Sequence, residues 1–281
     1  MMELWYSLLA FLPFEWARPE GMLFMKHALL AVILIMPVLG VAGTAVVNHR
    51  MAFFSDALGH GAFTGVAIGA LVGLAHPQTS SLIFALIFAM LVTFVQHRSG
   101  MSRDTVIGAL ASFCVAAGIF LATWGGRSIS RLANFLVGDL LSVAPMDLGI
   151  ALAVFFGFFL VWVFLYNRLL LLGVSSSLSI SRGHSPVWIE VVFAGLLAVI
   201  VTFSLQWLGL LTVNACLVLP AATARFFAKD ARSHVWWSCC LALVAGVAGV
   251  LMSWYAGAVA GASIVMVLAL GFFLTILLRR R

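Results

Sequence analysis

Asp56 and His60 are the residues of this chain whose types and spacing could do chemistry. They stand in the stretch running from Met51-Ala-Phe-Phe-Ser55 to Gly-Val-Ala-Ile-Gly69, which is otherwise suited to an apolar surrounding. A separation of four puts both side chains on one helical face, about 5–6 Å apart at their Cβ atoms, so that both could touch one ion. The carboxylate brings negative charge against a divalent cation. The imidazole nitrogen favours zinc, manganese or iron over the oxygen-seeking calcium and magnesium. No thiol accompanies the pair, which argues against copper(I). Two ligands do not complete a coordination sphere, and a second reading stays open: the pair could bond to each other or to a neighbouring helix and hold the fold together.

The surroundings give this pair its weight. Of 281 residues, 64% are hydrophobic and 9% charged, with a mean hydropathy of +1.18, whereas soluble domains are about 25% charged. A water-facing surface cannot be built from so few ionisable groups, which disfavours soluble enzymes, DNA-binding proteins and secreted domains. The formal net charge of +6 comes from small basic groups scattered between apolar runs. That is a membrane-topology pattern and not a nucleic-acid footprint. Cys114, Cys216, Cys239 and Cys240 lie in apolar stretches without metal-site spacing, so they read as inert thiols. The first 22 residues carry Glu3, Pro13, Glu15 and Glu20 and lack the basic start of a cleavable signal. They read as an uncleaved interfacial segment, rich in aromatics over residues 4–16.

A spanning helix needs about 20 apolar residues, and backbone satisfaction in lipid favours helices here over short alternating barrel strands. Candidate spans are 28–47, 52–74, 79–95, 105–123, 148–166, 187–204, 207–223, 235–252 and 261–278. The expected fold is therefore an all-α integral membrane protein, a polytopic bundle of eight or nine transmembrane helices in a single domain over residues 1–281. Arg50, Arg98, Arg103, Arg168, Arg182, Arg225, Lys229, Arg232 and Arg279–Arg281 fall on every second connection. The positive-inside rule puts those connections, and the C-terminus, in the cytoplasm of a prokaryotic cell (inner or plasma) membrane. Residues 124–147 are assigned outside by alternation although they carry Arg127 and Arg131 beside Asp139 and Asp147. With a rise of about 1.5 Å per residue from Arg50, Asp56 lies about 9 Å and His60 about 15 Å into a core about 30 Å thick. A carboxylate at that depth must face protein, water or a cation.

Beside the pair runs a glycine stripe, Gly61, Gly65, Gly69 and Gly73, whose period lets helices approach closely, within one subunit or between two. Asn214 and Thr212 precede Pro220 and could satisfy backbone groups that the proline frees. Glu190 is expected to reach the interface, and Lys26 and His27 to open the first span at its outer edge. His49, His76, His97, His184 and His234 fall in loops or at helix ends, where a solvated imidazole is the default. Neither Lys26 nor Lys229 follows a glycine, so no Walker A loop is available. No HExxH or GxSxG motif is present either. The segment 224–234 carries Arg225, Phe226, Phe227, Lys229, Asp230 and Arg232. It could form a short helix whose cations obey the positive-inside rule and whose phenylalanines suit a groove on a partner protein.

These pieces together resemble the permease subunits of ABC-type importers for zinc, manganese and iron. The resemblance runs from about Leu29 to Leu278 through Met51–Gly69, Asp104-Thr-Val-Ile-Gly108, Gly138-Asp-Leu-Leu141, and Gly209-Leu-Leu-Thr212 through Leu219-Pro-Ala-Ala-Thr-Ala-Arg225. It implies an ABC-importer permease fold with no ATPase site of its own. Two cytoplasmic ATPase subunits, an extracytoplasmic metal-binding protein and a second permease copy would be the partners, alongside membrane lipid. It assigns Asp56 and His60 to the positions of the family's metal ligands, two copies supplying four, and the region from Pro220 through Arg225 to Arg232 to ATPase coupling. Zinc or manganese is the expected cargo, iron fitting the same pair, and no permanently bound cofactor is expected. One departure concerns the loop after the fifth span, where relatives carry an acidic residue and an alanine before a glycine. This chain has Ser175-Ser-Ser-Leu-Ser-Ile-Ser-Arg-Gly183. Rival readings are a stand-alone proton-coupled metal carrier or channel, and a non-transporting membrane scaffold or enzyme.

Overall fold

The computed structural model describes residues 22–74, 77–124 and 137–279. The amino-terminal segment, His76, Arg127, Arg131, Arg280 and Arg281 lie outside the described residues. Ten α-helices follow one another among those described: α1 (Leu23–Asn48), α2 (Ala52–Val72), α3 (Pro77–Ser99), α4 (Arg103–Trp124), α5 (Pro145–Val174), the six-residue α6 (Ser176–Ser181), α7 (Pro186–Leu208), α8 (Leu210–Ala224), α9 (Ala231–Ala256) and α10 (Ala260–Arg279). A 3-10 turn, Leu140–Ser142, precedes α5. Every expected span coincides with one of these helices. Seven are long and apolar enough to cross a membrane. The other two differ for separate reasons. α8 has only 15 residues, and α2, at 21 residues, has its apolar run interrupted by Asp56 and His60.

Helix ends follow local chemistry. Pro145 and Pro186 open α5 and α7 in the first turn, where a missing N–H costs nothing. Left-handed glycines, Gly73 and Gly257, close α2 and α9, as only glycine does cheaply. α7 passes into α8 through the single residue Gly209, at φ +81°.

α1 is the centre of the bundle: 72% of its most apolar stretch is buried, against 22% for α10, which lies at the periphery. α9, α8 and α5 surround α1, and α3, α4, α7 and α8 surround α2. Where α1 crosses α8, a Cβ at Gly43 would overlap the Leu217 carbonyl, so the two backbones are in contact. Ser238 of α9 donates a hydrogen bond to the Gly40 carbonyl at 2.6 Å, satisfying a hydroxyl in the apolar interior.

The chain ends sort by charge. His49, His97, Arg103 and Glu190 gather at one end, which we call the basic end, and Arg279 reaches the turn after α8 there. At the far end, Gln78 donates to Gln206 at 2.9 Å. Gly138 and Gly209 also cross there, both at positive φ and each where a Cβ would strike the other's backbone. Two of the sequence stretches that carry the family resemblance therefore meet through their glycines.

Candidate metal site

Asp56 and His60 lie one turn apart on α2, with His60 Nε2 3.5 Å from Asp56 Oδ2. Their side chains are 37% and 27% exposed respectively, so the pair is reachable from outside the chain. Contacts on either side explain where they face. Ser55 donates through Oγ to Asn214 Oδ1 of α8 at 2.6 Å, and Thr64 donates through Oγ1 to the Cys114 carbonyl of α4 at 2.6 Å. At about 100° of rotation per residue, Asp56 and His60 fall in the arc between those anchors, together with the exposed Phe53 and half-buried Phe63. The opposite face carries the glycines: Gly61 and Gly65 lie against Phe88 and Ser81 of α3. Those two serve packing inside one chain, while Gly73 closes the helix.

A carboxylate oxygen and an imidazole nitrogen at this separation can hold one transition-metal ion and fill two of its positions. Among the described residues no group of three or more His, Cys, Asp or Glu could hold a metal, so these two side chains alone would fill at most two positions of an ion. The Ser55–Asn214 bond was not legible in the sequence. Asn214 is committed to α2 and not to the backbone around Pro220, and a serine hydroxyl gives no sequence signal for a partner 159 positions away.

The basic end corrects two expectations. Glu190 does not extend to the interface. Its side chain is buried, accepts from Arg103 Nη2 at 2.6 Å and lies 3.4 Å from His97 Nε2, so α3, α4 and α7 are joined there. Burial pushes the neighbouring His49 imidazole below its ordinary range, and the Arg103 charge acts in the same direction. His49 is thus a packed group, whereas His97 stays exposed at the end of α3 apart from its approach to Glu190. His234 is buried as well, its Nε2 2.9 Å from the Ala221 carbonyl. Lys26 and His27 are likewise buried at the start of α1.

The segment 224–234 is not a short helix. Arg225, Phe226 and Phe227 form a turn, and Asp230 caps α9 by accepting from the Ser233 N–H at 2.7 Å. That hydrogen bond, together with one involving the Ser233 side chain, holds the Asp230 carboxyl below the usual carboxylate range. Phe226 packs toward Phe272 with Arg279 over its ring at 5.5 Å. Phe227, 47% exposed, leans on Trp237. Arg225, Lys229 and Arg232 are exposed or partly so. The serine-rich loop supplies α6, which exposes Leu178 and Ile180 at the same end.

Relatives agree with this architecture. The high-affinity zinc uptake system membrane protein ZnuB of Haemophilus influenzae is 29% identical over 257 residues, covering 90% of this chain and 97% of that protein. The manganese import system permease protein ScaB of Streptococcus gordonii is 28% identical over 252 residues, 90% of each chain. Among solved structures, PsaBC from Streptococcus pneumoniae in complex with Fab superposes with a TM-score of 0.79 at 25% identity, covering 98% of this chain and 95% of that one. Residues 22–279 match the ABC 3 transport family, and the chain belongs to that family as an integral-membrane permease.

Proposed function

We propose that the chain is the single-domain, membrane-spanning subunit of an ATP-driven importer of divalent transition-metal ions, with zinc or manganese the cargo and iron fitting the same ligands. The observation that carries this reading is the Asp56–His60 pair, 3.5 Å apart and open to one side, on a helix otherwise enclosed by its neighbours. The permeases ZnuB and ScaB, which are relatives along nearly the whole chain, are named for zinc uptake and manganese import.

A half-site needs a second contributor. Two copies facing each other would bring two carboxylates and two imidazoles, enough for the four-coordination that zinc favours. Two carboxylates also neutralise a divalent charge, which permits passage through a low-dielectric core. Metal handed over by an extracytoplasmic binding protein would enter at the far end and leave at the basic end, which the positive-inside rule puts in the cytoplasm together with the C-terminus. Alternation between the two access states would be biased by cytoplasmic ATPases. Their docking surface is read as the turn bearing Arg225, Phe227, Lys229 and Arg232, with Leu178 and Ile180 of α6 beside it. Phe226 and Asp230 support that turn from within: one is clamped by Phe272 and Arg279, the other caps α9.

The test is metal analysis of the complex purified with its ATPase, together with ATPase rates in the presence of zinc, manganese and iron separately. Retention of one of these metals and stimulation by it are expected. A complex that binds none of the three and responds to none contradicts the reading.

A further inference from the structure

Asp56 and His60 stand beside the seam between two groups of helices. α2 packs most extensively on α3 and α4, whereas α8 packs on α1, α9 and α10. Among the described residues α1 and α2 form no substantial packed pair, although they are consecutive in the chain. α7 touches both groups and passes into α8 through Gly209. The turn bearing Arg225 and Phe227 belongs to the α8 group, since it joins α8 to α9 and its Phe226 leans on Phe272 of α10.

Two contacts, one turn apart, hold α2 in register with α8. Ser55 donates through Oγ to Asn214 Oδ1 at 2.6 Å. One turn further along α2, the Leu210 side chain occupies the place that a Cβ at Gly59 would take. Each pair, Ser55 with Gly59 and Leu210 with Asn214, has a spacing of four, and the order is reversed, so the two helices run antiparallel along the seam. Asp56 directly follows the first contact and His60 the second. The Ser55 hydroxyl also lies 3.1 Å from the Ala52 carbonyl of its own helix, so the serine does not depend on Asn214 for a partner. Asn214 is the costly member: it is an amide within an apolar helix, where such a side chain is tolerated for an interhelical hydrogen bond or a functional role. A hydrogen bond is directional, so it fixes a register that apolar packing alone would let slide.

We infer that Asn214 is a positioning residue for the metal pair: through Ser55 it ties α2 to α8, so that movement of the group bearing the Arg225 turn displaces Asp56 and His60 together. Metal–ligand distances tolerate deviations of about 0.2 Å, so a small shift of α2 is enough to change the hold on an ion. The inference rests on the reading of Asp56 and His60 as the transport site and of that turn as the ATPase-docking surface.

The experiment measures metal ions moved per ATP hydrolysed, in proteoliposomes holding the chain with its ATPase and binding protein, for wild type, Ser55→Ala, Asn214→Leu and the double variant. Each single variant is expected to lower this ratio roughly threefold to tenfold, as loss of one interhelical hydrogen bond does to the equilibrium it holds. The double variant should fall no further than the single ones, because both act through one bond. Ser238→Ala removes a buried hydrogen bond of the same length, 2.6 Å, between α9 and α1, and is expected to keep the wild-type ratio. A Ser55→Ala protein that melts earlier but keeps the wild-type ratio overturns the inference, because the bond would then be structural only. So does an equal fall in Ser238→Ala, or a double variant whose losses multiply. A wild-type complex that hydrolyses ATP without moving zinc, manganese or iron would instead remove the transport reading itself, and this inference with it.

Discussion

Replacing Arg103 by alanine isolates Glu190, the one buried acid among the described residues. The Glu190 side chain is 9% exposed and its ion pair with Arg103 Nη2 is 2.6 Å long, but Arg103 itself is 36% exposed. Removing one partner of a fully buried pair costs about 3–5 kcal/mol, because the remaining charge is stranded. Water can follow the shortened side chain inward along the exposed path of Arg103, and His97 stays 3.4 Å away, so the cost here is reduced to about 2 kcal/mol. For a chain of this size that corresponds to a fall in Tm of about 4–8 °C. Thermal unfolding of the detergent-purified protein, followed by circular dichroism, measures it. The double variant Arg103→Ala with Glu190→Leu should regain most of the loss, since an apolar side chain of similar size needs no partner. An Arg103→Ala protein that unfolds with wild type, or a double variant no better than the single one, would refute the reasoning that a stranded carboxylate sets the cost.

Three further outcomes follow from particular contacts. Gly209→Ala puts a Cβ at φ +81° onto the backbone of Val137 and Gly138 and should lower thermal stability by about 1–3 kcal/mol, whereas Gly149→Ala inside α5, which meets nothing within 4 Å, should raise it by up to about 1 kcal/mol in the same unfolding assay. Asp230 has a folded-state pKa below its unfolded value, so its capping contribution is present above the ordinary carboxylate pKa and is lost as pH falls through the lowered one. Wild type and Asp230→Ala should therefore differ in Tm at neutral pH and converge below about pH 4. His49 also has its pKa lowered but is a base, so its burial costs stability as pH drops through the unfolded value near about 6.5. His49→Gln should flatten that part of the Tm profile.

The spans were readable because lipid makes the length of an apolar run the dominant signal, and each expected range falls on a helix. α2 shows where that signal weakens: its polar pair interrupts the run, yet the same pair, being one turn apart, was legible as a local feature of spacing four. Glu190 was misread for the opposite reason. Its partner Arg103 is 87 positions away, and nothing local in either residue announces that the Arg103 side chain of α4 reaches Glu190 of α7 at the basic end. The turn after α8 was misread as a short helix although Asp230 and Ser233 stand at capping-box spacing and mark the start of a new helix there. Composition alone cannot distinguish a turn from a helix in a run holding alanine, phenylalanine and cations. The face that Asp56 and His60 present required the structure, since it depends on Ser55 reaching Asn214 and Thr64 reaching Cys114.

The central claim is that Asp56 and His60 grip the metal that crosses the membrane. The direct measurement is ATP-dependent uptake of zinc and manganese into proteoliposomes that contain the chain with its partner ATPase and binding protein, compared between wild type and Asp56→Ala. Wild type should accumulate one of the metals only when ATP is supplied, and Asp56→Ala should assemble with the same partners but accumulate none. Uptake by Asp56→Ala at the wild-type rate would contradict the account.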